Sequence, residues 1–158
     1  MVARNAALTL AKSSSTNSSM AGYSATPLVK KLGIKENSNA AFVNAPAGFV
    51  NELGLPKGVK INTRASQPRD FILMFVKSKR ELETAFSLQA AKLTPTGTLW
   101  ISWPKKASGV VTDLNENIVR DIGLANGLVD VKVCAVDDIW SGLKFVFRLK
   151  DRPAVGAR

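Results

Sequence analysis

The sequence predicts a three-layer α/β fold whose sheet is mostly parallel and ends in an antiparallel C-terminal hairpin, and three observations carry that reading. Phe71, Ile72, Leu73, Met74, Phe75 and Val76 are apolar at every position, as in a strand buried on both faces by helices; a half-exposed antiparallel strand alternates instead. A helical pattern starts after Ser78, and a second strand, TLWISW, occupies 98–103. Strand, helix, strand in that order implies a parallel pair joined by a right-handed crossover. The last two strands, 131–136 and 143–149, are separated by six residues, too few for a helical crossover, so they pair as a hairpin.

Taken in order, residues 1–20 carry Arg4 and Lys12, no acid, and a Ser/Thr/Asn-rich tract from 13 to 19. That composition is expected of a disordered N-terminal tail; it also resembles a transit segment, and it lacks the apolar stretch of a secretory signal. A single Rossmann-like α/β domain is expected over 21–150, followed by a basic tail at 151–158. Thr26 and Pro27 open a short helix as cap and first residue, and Gly33 supplies its left-handed stop. NAAFVN at 39–44 is a strand, Ala45-Pro46-Ala47-Gly48 a turn and 49–53 a brief helix. Leu55-Pro56-Lys57-Gly58 punctuates again, 59–63 alternates as a strand, and 64–70 is a polar connection. Ser78 with Glu81 three residues on reads as a capping box. The helix it starts has Leu82, Ala85, Phe86 and Leu93 on its buried stripe, and Pro95 and Gly97 end it. Beyond the 98–103 strand, Asp113 caps a helix in which Leu114, Ile118 and Ile122 recur every four residues, and Gly127 closes it.

Composition narrows the chemistry. The 158 residues are 46% hydrophobic and 22% charged, an ordinary globular balance. With no His there is no imidazole general base and no His metal ligand, and one Cys allows neither an intramolecular disulfide nor a Cys-type zinc site. The longest apolar run, 71–76, is far short of the roughly 20 residues that span a bilayer. Cys134, inside a strand-like apolar run, fits a small buried side chain in a reducing cytoplasm. Lys+Arg is 22 against Asp+Glu 12, a formal charge of +10, and the balance without residues 1–20 is still +8. Such a surface favours anionic partners, whether small molecule, acidic protein or nucleic acid. The basic residues are dispersed, however, except near Lys77, Lys79 and Arg80 and at Arg148, Lys150 and Arg152, and no nucleic-acid-binding motif accompanies them.

Three motifs resemble a family of small bacterial proteins catalogued as a domain of unknown function: YSATPLVKKLG at 23–33, WPKKASGV at 103–110 and GLVDVKVCAV at 127–136. The resemblance covers 21–149 and brings no activity with it. The order of elements, with LTPTGTLWIS at 93–102 leading to a terminal hairpin, also resembles S-adenosylmethionine-dependent methyltransferases in architecture. That family's cofactor residues do not carry over. Its glycine-rich turn after the first strand is here Asn44-Ala45-Pro46-Ala47-Gly48, with a single Gly, and its ribose-holding acid after the second strand is replaced by Thr63 and Arg64.

Ligands of open α/β sheets sit beyond the carboxyl ends of the strands, and three loops fall there. After TLWISW come Lys105, Lys106, Ser108 and Gly109, with Trp103 as a stacking face; two ammonium groups, a hydroxyl and a close-approaching backbone suit a phosphate or carboxylate. The same residues also fit a solvated lysine pair, a turn glycine and a packed tryptophan. Asp137, Asp138, Trp140 and Ser141 form the second loop, whose acids are placed to pair with Lys105 or Lys106; an Asp-Asp turn is equally ordinary loop chemistry. The third is the turn from Asn44 to Gly48, where Pro46 removes one N–H donor. Tyr23, beside the first helix, is placed to close an anion site or to pack. The expectation is therefore a non-catalytic binding or regulatory module for an anionic small molecule or acidic partner. A divergent methyltransferase and a nucleic-acid-associated basic protein are the alternatives.

Overall fold

Six strands form one sheet in the computed structural model, which describes residues 26–62 and 67–148. They are β1 (Asn39–Val43), β2 (Lys60–Ile61), β3 (Arg69–Phe75), β4 (Leu93–Pro104), β5 (Leu128–Ala135) and β6 (Trp140–Phe147). The helices are α1 (Leu28–Leu32), α2 (Phe49–Leu53), α3 (Lys79–Ala90) and α4 (Glu116–Ala125), with a 3₁₀ turn at Lys106–Ser108. The strand order is β2-β1-β3-β4-β6-β5. β1 pairs in parallel with β2 and β3, and β3 with β4; β6 is antiparallel to both β4 and β5. The mostly parallel sheet with its antiparallel end is thus the predicted one.

β3 shows why an unbroken apolar run was needed. Ile72 and Met74 point into one core with Leu82, Phe86 and Ala90 of α3 and Val119 and Ile122 of α4. Phe71, Leu73 and Phe75 point into the other, with Leu32 of α1 buried there and Phe49 and Leu53 of α2 packed against it. Helices on both faces make three layers.

The boundaries moved for local reasons. β4 begins at Leu93, so Leu93, Pro95 and Gly97 belong to a strand and not to the end of α3. The β3–β4 ladder pairs Arg69 with Leu93 and then Phe71 with Thr98. The extra β4 residues sit in an irregularity that does not need the N–H Pro95 lacks. The N-cap of α1 is Pro27 and not Thr26, so no side chain caps the helix start, while Gly33 adopts φ 79° as its stop. Ser78 caps α3 by accepting from Glu81 N–H at 3.1 Å. Asp113 does not cap α4; Asn115 does, its Oδ1 accepting from Ile118 N–H at 2.9 Å. Asp113 instead accepts from Lys79 N–H at 2.8 Å, tying the loop before α4 to the first turn of α3. The strand expected at 59–63 is the two-residue β2. β5 and β6 start three residues earlier than expected, so the hairpin turn shrinks to 136–139, and Trp140, Ser141 and Gly142 are strand residues. Cys134 is half-buried, and burial pushes its thiol pKa up against the opposing charges of Lys132 and Lys31.

On the α4 side, Arg120 Nε donates to Asp130 at 2.9 Å and its other guanidinium nitrogens reach Glu116 and Asn117. The hydrogen bond from Arg120 holds the Asp130 carboxyl below its ordinary range. A depressed carboxylate stabilises the fold above its unfolded pKa and ceases to as pH falls through the folded one. Asp130→Asn is therefore expected to lower the thermal midpoint near neutral pH, with the difference from the parent vanishing in acid. A difference that persists below the carboxylate range would reject the charge as its cause.

Candidate functional site

The chain lays down β1, crosses to β2 on one side of it, and returns to place β3 on the other. The reversal makes β1 and β3 a switch point, where two loops leave the sheet in opposite directions and open a crevice beyond the carboxyl ends. A crevice of about 490 Å³ lies there, within the range of small-molecule sites. Asn44 and Pro46 line it from the end of β1, Phe75 and Lys77 from the end of β3, and Ile139 and Trp140 from the hairpin.

Each wall has a local cause. Asn44 takes φ 58°, a left-handed conformation Asn tolerates, and its Nδ2 donates weakly to Phe75 O at 3.4 Å and Glu81 Oε2 at 3.5 Å. Glu81 holds Lys77 N–H through Oε1 at 2.9 Å. Its other oxygen therefore keeps lone-pair capacity at the crevice. Trp140 meets Phe75 edge-on at 5.0 Å, and Phe75 meets Phe49 at 5.1 Å, a three-ring wall that fixes the apolar side.

A second cleft of about 630 Å³ adjoins, sharing Val110. Trp103, Lys105, Lys106, Gly109 and Ser141 line it, so five of the ten predicted site residues are brought together. Asp113, Asn115 and Glu116 also line it, and the sequence reading did not place them at a site. Asn44 and Trp140 belong to the first crevice. Ser108 lines neither: its hydroxyl donates to Lys105 O at 2.6 Å and accepts from Val110 N–H at 3.2 Å, both within its own turn. Gly109 takes φ 79° at the end of that turn. Gly48, at φ 80°, precedes α2 and lines neither cleft. Asp137 does not pair with a lysine. Its Oδ1 accepts from Ile139 and Trp140 N–H at 2.8 and 2.9 Å, the turn chemistry of an Asp, and it faces a third hollow with Phe49 and Leu53. The two loops do meet, through Lys105 N–H on Ile139 O at 2.7 Å. Tyr23, Thr63 and Arg64 lie outside the described residues.

Sequence reading missed Glu81 as a site residue because its capping-box spacing already explained it. Only the packing of α3 beneath the end of β1 puts its carboxylate beside Asn44.

No helix among the described residues is long and apolar enough to cross a membrane. No family model matches the chain, and no curated protein does. Solved structures do. A SAM dependent methyltransferase from Aquifex aeolicus is 20% identical over 75% of this chain and 86% of its own, with a TM-score of 0.53. A ribosomal protein L11 methylase from Lactobacillus delbrueckii subsp. bulgaricus is 10% identical over 77% and 75%, also with a TM-score of 0.53. The magnesium protoporphyrin IX methyltransferase of Synechocystis PCC 6803 with bound SAM is 11% identical over 77% and 74%, with a TM-score of 0.50. These likenesses overturn the expectation of a non-catalytic binding module, since the three solved structures that share its fold are methyltransferases. The fold of the chain is the Rossmann-like fold of S-adenosylmethionine-dependent methyltransferases.

Proposed function

We propose that the chain is a divergent S-adenosylmethionine-dependent methyltransferase that takes its methyl donor in the crevice between β1 and β3. One observation carries the reading: the crevice opens at the switch point of a methyltransferase-type sheet and presents a carboxylate, an ammonium group and an aromatic wall. The donor set fits a zwitterionic nucleoside. Glu81 Oε2 accepts a ribose hydroxyl or the donor's ammonium group, Lys77 faces a carboxylate, and Trp140 and Ile139 cover an apolar ring. Glu81 thus brings from α3 the acid that Thr63 and Arg64 do not bring after β2. When bound, the donor supplies a methyl carbon whose bond to sulfonium breaks as an acceptor's lone pair closes on it, leaving a neutral thioether. The adjoining cleft is our assignment for the acceptor, with Lys105 and Lys106 favouring an anionic one and Trp103 forming its floor.

Calorimetric titration of the full chain with S-adenosylmethionine and S-adenosylhomocysteine tests this. Binding is expected, weakened by roughly tenfold or more in Glu81→Gln, the cost of neutralising a charged hydrogen-bond partner. Affinity for the donor should stay within about twofold in Lys105→Ala/Lys106→Ala, whose side chains lie in the other cleft. A flat titration at millimolar ligand rejects the proposal.

A further inference from the structure

We propose that Lys31, Lys35, Lys132 and Lys144 form a docking surface for the phosphate backbone of a duplex nucleic acid. The four are distant in sequence, which is why the basic residues read as scattered; the fold collects them. Lys132 and Lys144 are direct partners across the β5–β6 ladder. Lys132 Nζ donates to the main-chain carbonyl of Lys31 in the last turn of α1, at 3.0 Å. Lys144 Nζ lies 3.7 Å from where a Cβ on Gly33 would stand, and Lys35 follows that glycine by two residues. Burial, with the charges of Lys132 and Lys35, holds the Lys144 ammonium below the usual lysine range.

Like charges opposite one another in a sheet oppose folding. The ion pairs among the described residues join Arg120 to Glu116 and Asp130, and none of these four lysines is ion-paired there. A cluster without an internal counter-ion is neutralised from outside. Its position on an open strand pair and helix end, with Lys35 and Lys132 exposed, makes it a surface and not a pocket for one small anion. Trp100 and Trp140 on the same side of the sheet are buried, so among the described residues neither tryptophan there offers a stacking platform to unstacked bases. Point charges without stacking faces suit backbone phosphates, and duplex DNA, at about one negative charge per 1.7 Å of axis, is denser in charge than an acidic protein face. The chain's charge of +10 has the matching sign. This inference stands apart from the methyl-transfer reading, whose residues it does not use.

The test is fluorescence anisotropy of the full chain with a labelled duplex of about 24 base pairs across a salt series. The parent should bind at low ionic strength and weaken steeply with salt. Lys132→Gln/Lys144→Gln should lose roughly tenfold or more in affinity, with the log–log salt slope falling by about 0.9 for each phosphate contact removed. Lys132→Arg/Lys144→Arg should retain binding, and the exposed Lys35→Gln should lose affinity in the same direction. The Gln pair should melt close to the parent, the relieved repulsion offsetting the lost hydrogen bond to the Lys31 carbonyl. No binding by the parent at low salt would overturn the proposal. So would an equal loss in Lys105→Gln/Lys106→Gln, or competition by a poly-glutamate peptide as effective as the duplex at matched charge. If the Gln pair melts lower and Lys35→Gln binds like the parent, the lysines are structural and the proposal fails.

Discussion

Trp100→Ala is expected to lower the unfolding free energy by about 4 kcal/mol, the upper range for removing a large buried aromatic. Trp100 is 0% exposed at the middle of β4, and its Nε1 donates to Leu32 O at 2.9 Å. That carbonyl belongs to the last residue of α1, where a helix has no acceptor-to-donor partner of its own. One side chain therefore fills the α1 side of the core and closes the helix end. Gly142 makes room for it: a Cβ there would stand 3.1 Å from Trp100 Cε3. Against a typical stability of about 5–15 kcal/mol for a domain, the variant should unfold at much lower urea. Trp100→Phe separates the two contributions, since it keeps most of the volume and loses the hydrogen bond, at about 1–3 kcal/mol. Equal midpoints for Trp100→Phe and the parent would show that the bond to Leu32 contributes nothing.

Gly123→Ala is expected to destabilise by about 2 kcal/mol, although alanine is the better helix former by about 1 kcal/mol. Gly123 lies inside α4, and a Cβ on it would stand 2.0 Å from Phe145 Cε1. Phe145 is 0% exposed and meets Phe86 of α3 edge-on at 5.3 Å, so its ring has no free side to turn into. The close approach of α4 to β6 thus depends on this glycine. Gly123→Ala/Phe145→Leu should recover part of the loss by freeing space at the contact. A thermal midpoint for Gly123→Ala at or above the parent's would mean that α4 shifts without cost.

The layers and most elements were legible because they depend on local pattern. The run from Phe71 to Val76 states that both faces of a strand are covered, and Ser78 with Glu81 states where a helix starts. Boundaries were less legible where two local signals competed. Pro95 and Gly97 looked like a helix stop, yet the ladder from β3 absorbs them in an irregular stretch of β4. Asp113 looked like a cap for the helix after it, yet it accepts from Lys79 N–H in the first turn of α3, which Ser78 caps. Trp140 and Ser141 looked like loop residues because Ser-Gly marks turns, whereas pairing with Trp103 and Pro104 extends the strand through them.

The candidate site divided in the same way. Trp103, Lys105, Lys106, Gly109 and Ser141 were found because residues just past a strand's carboxyl end face the same opening, and chain order reveals which those are. Ser108 and Asp137 were found for the same reason, but their own turns use their side chains, a matter of backbone geometry that spacing does not report.

By itself, then, the sequence determined the class of fold, the absence of imidazole and metal-thiolate chemistry, and the chain's own net positive charge, since all three follow from residue type and period. Tertiary structure alone decided which distant groups share a space: Glu81 beside Asn44 at the switch point, and Lys31 against Lys132 across the sheet edge. The reason is physical. Periodicity records which face of an element is buried, whereas juxtaposition depends on strand order, and the order β2-β1-β3-β4-β6-β5 is set by how the helices pack on the two faces of the sheet.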